Sequence, residues 1–382
     1  MSVFLGIGLG PIQTGIFIPG ARRAGFDRIV IAEVDKNICS AVRKSSGMIS
    51  INIAESNKVR VETIEGIEIY NPSDPGDLKA LVSTARDADE INTALPSVAF
   101  YKHISPWLKE GFDLDPDRRR IIYTSENNNH AAELLEKELG CEFRNTSFAN
   151  TVIGKMSSVV NADECKSRNL AMLTDTAGKG HLVEAFNKIF ISSFPGVEKR
   201  RIKDLIPVKD LYPFEEAKLY GHNAIHFLLG LRALEKKLTY MHEISKYPEI
   251  TAYALSAFTD ECGKALCRKW KNFDNLFTEA GFKEYAEDLI CRMTNPFLMD
   301  KVERICRDLD RKMGWDDRLV GTARVCLAQE VFPEKILESA KFAARELYGV
   351  DPDKIKAGLA LLWKDAGDST EKDRILELLT KC

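Results

Sequence analysis

Between residue 3 and about residue 205 the chain returns again and again to a short apolar run, with helical patterning between the runs. VFLGIG, residues 3–8, reads as a buried strand running into glycines. DRIVIAEVD, 27–35, is apolar and β-branched and ends in acid. DADEINTAL, 87–95, closes on another such run, and RRIIYTSENNN, 119–129, is a strand breaking into a polar loop. CEFRNTSFANTVI, 141–153, and LAMLTDTAG, 170–178, continue the series. Strands alternating with helices mark βαβ units on a parallel sheet, because parallel neighbours need a long crossover. The expected fold class is α/β. From about residue 210, β-branched runs thin out and helical periodicity takes over, as in NAIHFLLGLRALEKKL, FKEYAEDLICRM and EKILESAKFAARELY. A chain of 382 residues is also more than one core usually organises. We expect an α/β domain over 1–205 and a mostly helical one over 206–382, joined near the proline-bearing segment IPVKDLYPFEE.

Composition excludes several classes. A net charge of -3 gives no footing for nucleic acid or another polyanion. No apolar run is long enough to span a membrane, and no secretory leader is expected at the start. The nine cysteines are odd in number, scattered and without a CxxC pair, which suits reduced thiols in a cytoplasm. The six histidines form no HExxH or HxH group, so no metal site is expected.

The glycines Gly6, Gly8, Gly10 and Gly15 in GIGLGPIQTG follow the first strand and open a helix. Such a loop lets backbone approach a pyrophosphate, which the helix N-terminus attracts with unpaired N–H groups. Gly8, Gly10, Ile12 and Gln13 are therefore candidate cofactor residues. Pro11 suits an early helical position. Glu33 ends the second strand, where an acid accepts from ribose hydroxyls and repels a 2′-phosphate; that favours NAD over NADP. Gln13 stands where the third glycine of GxGxxG belongs, so the helix is expected slightly further from the strand, with Pro19 and Gly20 kinking or shortening it. Thr93, Ala94 and Asn127 lie at strand ends facing the expected cofactor edge. An acidic strand end after a glycine loop also suits an S-adenosylmethionine methyltransferase, and the loop alone does not separate the two.

KLYGHNAIH, 218–226, sets Lys218, Asn223 and His226 in an otherwise apolar helix. At roughly 100° per residue, Lys218, Asn223, His226 and Glu215 fall near 0°, 140°, 80° and 60°, on one face. Burying a lysine lowers its pKa and makes it a usable general base near neutral pH. An asparagine beside it can donate to a developing oxyanion. The alternative is a lysine that reaches solvent while Asn223 and His226 serve local backbone.

Lys-x4-Asn-x2-His resembles the signature of the polyol-specific long-chain dehydrogenases, the mannitol dehydrogenase family. FAN, ending at Asn150, SEN at 125–127 and RMTNPFLMDKVER at 292–304 resemble further segments of that family in the same order. RKMGWDDRLVG, 311–321, looks like the run that follows in the mannitol-1-phosphate 5-dehydrogenases. The resemblance implies a Rossmann-type domain, a helical substrate domain, NAD as cofactor and no catalytic metal. It implies Lys218 as general base, Asn150 and Asn223 as donors to the substrate oxygen, and His226 as the group that positions them. It further implies Glu215 and Arg292 near a small-molecule polyol or sugar phosphate, and a monomer. Arg304, Arg311 and Lys312, with Arg318, form a basic group suited to a phosphate; the interleaved Asp300, Asp308, Asp310, Asp316 and Asp317 equally suit a solvated face. An unphosphorylated polyol, a hexuronate and a non-catalytic NAD-binding protein stay open as alternatives.

Overall fold

The computed structural model describes residues 1–140, 143–366 and 369–381. Cys141, Cys382 and the first two residues of the CEFRNTSFANTVI run lie outside them. The described chain forms two compact units, Met1–Tyr212 and Pro213–Cys382. The division lies within the segment 206–216, because residues 205–208 still pair within the first unit.

The strands of the first unit are β1 (Val3–Ile7), β2 (Arg28–Ala32), β3 (Ile49–Ala54), β4 (Val59–Ile64), β5 (Ile67–Tyr70), β6 (Glu90–Thr93), β7 (Arg120–Thr124), β8 (Thr146–Val152), β9 (Ser157–Asn161), β10 (Lys179–Glu184), β11 (Ile189–Ser192) and β12 (Leu205–Val208). Eight form one sheet in the order β12-β11-β8-β7-β6-β1-β2-β5. Its pairs are parallel except β8 with β11. The other four form a second sheet, β4-β3-β10-β9, in which only β3 and β10 run parallel.

The main sheet is buried on both faces, as its continuous apolar runs require. Phe4, Ile29, Ile31, Ile121 and Tyr123 enter one core; Val3, Leu5, Ile7, Val30 and Ile122 enter the other. Alternate residues of each strand feed opposite cores, the period of two imposed by the pleat.

The second sheet was not foreseen, and one expected strand was misplaced. Residues 170–178 form turns, and the strand begins at Lys179. Leu173 N–H donates to the Lys179 carbonyl at 2.8 Å, and Gly178 has φ +66°, so TDTAG closes a loop. Its polar turn residues outweigh the short apolar run before them.

The second unit is mostly helical, its first helix starting at Tyr212, the last residue of the first unit, and its last ending at Thr380. In two places its helices widen into π-helical turns, Ala217–Asn223 and Ala257–Gly263. Among the described residues no helix is long and apolar enough to cross a membrane. The described cysteines, Cys39, Cys165, Cys262, Cys267, Cys291, Cys306 and Cys326, are free thiols.

Candidate active site

In the first unit the glycine loop has the shape a pyrophosphate needs. Gly8 has φ +87°, and a Cβ there would stand 2.7 Å from the Ala94 carbonyl oxygen, so only glycine fits. A Cβ on Gly10 would meet nothing within 4 Å, so the loop stays open on that side. The first intrahelical bond runs from Thr14 N–H to the Gly10 carbonyl at 3.0 Å. The N–H groups of Ile12 and Gln13 precede it and belong to the unpaired first turn.

Gln13 is accommodated by the strand. Its side chain is fully buried, and a Cβ on Gly6 would stand 2.1 Å from Gln13 Nε2. The glycine missing from the helix is supplied opposite it, on β1. Any contact of Gln13 with a cofactor therefore passes through its backbone. Pro19 does not end the helix, which runs to Arg23. A π-helical turn over Gln13–Phe17, with Ile18 N–H on the Gln13 carbonyl, shifts the bonding register just before the proline.

Glu33 accepts from Leu9 N–H and from Asp35 N–H, each at 2.8 Å, so the acid at the end of β2 is tied to the loop. Thr93 and Ala94 lie where β6 ends. Thr93 Oγ1 donates to Glu126 at 2.9 Å, and Ala94 N–H donates to the Ile7 carbonyl at 2.9 Å. Glu126 is buried and also accepts from Leu95 N–H and the Tyr101 hydroxyl. It is a clamp on this edge that sequence reading passed over inside SEN. Asn127 is exposed in the turn that follows.

Asn150 pairs with Thr124, the last residue of β7. Its side-chain oxygen accepts from Ala132 N–H at 2.8 Å, and its amide donates to Glu133 at 2.8 Å. The residue therefore also holds the start of the helix Ala131–Leu139, leaving one amide N–H for other work. Glu133 was not anticipated.

In the second unit the lysine helix differs from the regular α-helix assumed for the wheel. Lys218 and Asn223 both lie in the π-helical turn Ala217–Asn223, and Ala224 N–H reaches back five residues to the Leu219 carbonyl. An i→i+5 turn brings residues five apart into line. The Lys-x4-Asn spacing is one such turn, so the two side chains are more nearly aligned than 140°. The wider turn is braced from outside: Thr322 Oγ1 lies 3.1 Å from the Tyr220 carbonyl, and the Tyr285 hydroxyl lies 3.5 Å from that of Ala217. Gly221 lets the turn close on Phe258, which a Cβ would meet at 2.9 Å.

Desolvation lowers the Lys218 pKa to about 8; Glu215 pulls it up and Arg318 pushes it down. Burial, then the neighbouring His226, Arg292, Lys218 and Arg318, keeps His222 well below the ordinary histidine range. Its ring lies 6.1 Å from that of His226. Among the described residues the Asn223 side chain has no hydrogen-bond partner, and it is partly exposed.

His226 Nε2 stands 3.2 Å from Asp300 Oδ2, off the ideal line of a hydrogen bond. Asp300 is buried and accepts a two-pronged contact from Arg304, both distances 2.7 Å. Burial alone would raise its pKa, but His226 and Arg304 hold it well below the carboxylate range.

The expected phosphate group divides. Arg304 is occupied by Asp300. Arg311 is exposed and 3.4 Å from Asp317. Lys312 is buried, donates to the Ile305 and Arg307 carbonyls and lies over the Phe227 ring. Its amine closes the end of the helix Val302–Cys306. Arg318, paired with Asp317, is the basic residue whose charge reaches Lys218 and His222. Arg292 also acts on His222 and is 3.1 Å from Asp288. Lys218, Glu215, Asn223, His226 and Arg292 thus belong to one unit, joined by Arg318 from the basic group, by Asp300, which read as part of a solvated face, and by His222, to which sequence gave no role. Spacing offered one usable signal, the i,i+4 pair Asp300–Arg304 in the RMTNPFLMDKVER run.

Residues 210–359 match the family model of the mannitol dehydrogenase C-terminal domain. A mannitol-1-phosphate 5-dehydrogenase of Paenarthrobacter aurescens (strain TC1) is 26% identical over 379 residues, covering 97% of this chain and 93% of the relative. That of Bacillus subtilis (strain 168) is 26% identical over 347 residues, covering 89% and 87%. The fold is shared with Pseudomonas fluorescens mannitol 2-dehydrogenase in ternary complex with NAD and D-mannitol, at TM-score 0.72 and 14% identity over 99% of this chain and 91% of that one. A substrate-free D-sorbitol dehydrogenase superposes at TM-score 0.74 with 15% identity, over 98% and 91%. The lysine motif lies inside the matched segment, and the near full-length relatives and the shared fold agree with that match: residues 210–359 form a mannitol dehydrogenase C-terminal domain.

Proposed function

We propose that the protein is an NAD-dependent oxidoreductase interconverting a polyol phosphate and its ketose phosphate, with mannitol 1-phosphate and fructose 6-phosphate as the leading pair. The observation that carries this reading is the π-helical turn Ala217–Asn223, which sets Lys218, half-buried and lowered by desolvation to about 8, on one turn with Asn223 and in the same cluster as His226. Gly8, Gly10 and the N–H groups of Ile12 and Gln13 would hold the cofactor pyrophosphate, and Glu33 the ribose hydroxyls. Thr93, Ala94 and Asn127 would line the rest of that edge. Bound NAD supplies the hydride acceptor. Lys218 takes the alcohol proton as the carbonyl forms, and returns it in the reverse direction. Asn223 donates to the substrate oxygen, a contribution of about 3 kcal/mol per donor in comparable sites, and the family resemblance gives Asn150, in the first unit, a donor's part as well. Glu215 assists release of the proton. Arg292 and Arg318 give the pocket a positive character suited to an anionic substrate.

Relatives named for mannitol 1-phosphate support the phosphorylated substrate. Structures named for mannitol and sorbitol enzymes support an unphosphorylated polyol as the second reading. The reading further proposes a cytoplasmic monomer.

The test is absorbance of reduced nicotinamide when purified protein meets NAD and mannitol 1-phosphate, then mannitol, sorbitol and a hexonate. The expected result is reduction with mannitol 1-phosphate at a kcat/KM at least tenfold above that for mannitol. No reduction across the panel would remove the reading; a preference for mannitol would replace it with the second one.

A further inference from the structure

Asp300 is placed by more constraint than a surface carboxylate requires. The residue before it, Met299, holds the left-handed conformation at φ +51°, a strained choice for a methionine. On either side the backbone is pinned: Met241 N–H donates to the Asp300 carbonyl at 2.8 Å, and Val302 N–H donates to that of Thr239 at 3.0 Å. Arg304 grips both carboxylate oxygens, and the remaining approach to Oδ2 is the one His226 Nε2 occupies.

We infer that Asp300 is the positioning residue of the active site, fixing His226 with the proton on Nε2 so that Nδ1 keeps its lone pair for the reacting hydroxyl or the Lys218 ammonium. The inference rests on the proposed dehydrogenase reading. An ionised carboxylate only accepts, so the ring nitrogen beside it must carry hydrogen. The other nitrogen of a neutral ring is then an acceptor. At 3.2 Å the ring nitrogen is within hydrogen-bonding reach of Oδ2. Sequence assigns Asp300 no such part, since it lies among aspartates that read as a solvated face.

Asp300→Asn keeps the shape but sets an amide between Arg304 and His226. Arg304 takes the amide oxygen, the NH2 turns toward the ring, and the wrong tautomer is favoured, a change that costs orders of magnitude in comparable dyads. The experiment is a double-mutant cycle of Asp300→Asn with His226→Ala, reading kcat, KM and NAD affinity. Expected is a fall in kcat of at least about 100-fold for Asp300→Asn alone, NAD affinity unchanged, and less than twofold further loss in the His226→Ala background. Losses that multiply would make Asp300 a structural staple and overturn the inference. Nitrogen-15 NMR of the histidine-labelled wild type stands apart from whether the variants fold: protonated Nε2 at His226 supports the assignment, protonated Nδ1 overturns it. A wild type inactive on every polyol and polyol phosphate would overturn the function and this inference together, whereas an active wild type with multiplying losses removes the inference alone.

Discussion

Lys218 and Glu33 show how a single side chain acquires a role from its surroundings. Lys218 is lowered to about 8 chiefly by desolvation, and Glu215, the neighbour that would restore it, does not cancel that. A base with a pKa near neutrality both removes and returns a proton efficiently. Glu33 gains fixity from two N–H donors, one in the glycine loop and one at Asp35. In the proposed cofactor site its carboxylate would keep further lone pairs for ribose hydroxyls and oppose a 2′-phosphate. Glu33→Ala is expected to reduce the preference for NAD over NADP by about ten- to a hundredfold in kcat/KM, in line with 1.4–2.8 kcal/mol. An unchanged ratio would remove Glu33 from the cofactor site. Residue types and spacing single out both in the sequence as candidates. Asp300 is not singled out, because its meaning lies in Met299, Arg304 and His226 meeting in space.

At the scale of the element, the lysine helix is the feature that sequence reading approached and missed. A wheel at constant angle put four polar groups on one face, but the turn is widened and its period is different. No propensity rule marks a π-helical turn, since its cause is tertiary: Thr322 and Tyr285 stand by the opened carbonyls, and Gly221 admits Phe258. Phe258 cannot retreat easily, for it packs edge-on against Phe282 and Tyr285 at 5.7 Å. Gly221→Ala is therefore expected to destabilise by about 1–3 kcal/mol despite the better helix propensity of alanine. Calorimetry should show the transition of the second unit lowered by roughly 2–12 °C, with kcat reduced as the turn shifts. A raised midpoint with full activity would mean the turn does not depend on that close approach. The glycine loop teaches the same lesson from the other side: Gln13 looked like a fault in the motif, yet Gly6 across from it makes the room.

For the whole molecule, the parallel sheet and the helical half were legible because both depend on periodicity and on β-branched runs, which packing does not alter. The second sheet was not. β3 and β4 are apolar at every second residue over most of their length, but nothing local tells which sheet a strand will join, and β10 pairs with β3 across well over a hundred residues. The phosphate group was likewise a matter of three dimensions. Charges close in sequence divided between capping a helix, holding Asp300 and acting on Lys218. The central claim is that Lys218 is the base, and initial rates at saturating substrate across pH 6–10 test it most directly. Polyol oxidation requires the neutral amine, so kcat should rise with pH through about 8; ketose reduction requires the ammonium, so kcat should fall through the same value. Both limbs should vanish in the residual activity of Lys218→Ala. Profiles that keep the same limbs without the lysine would contradict the account.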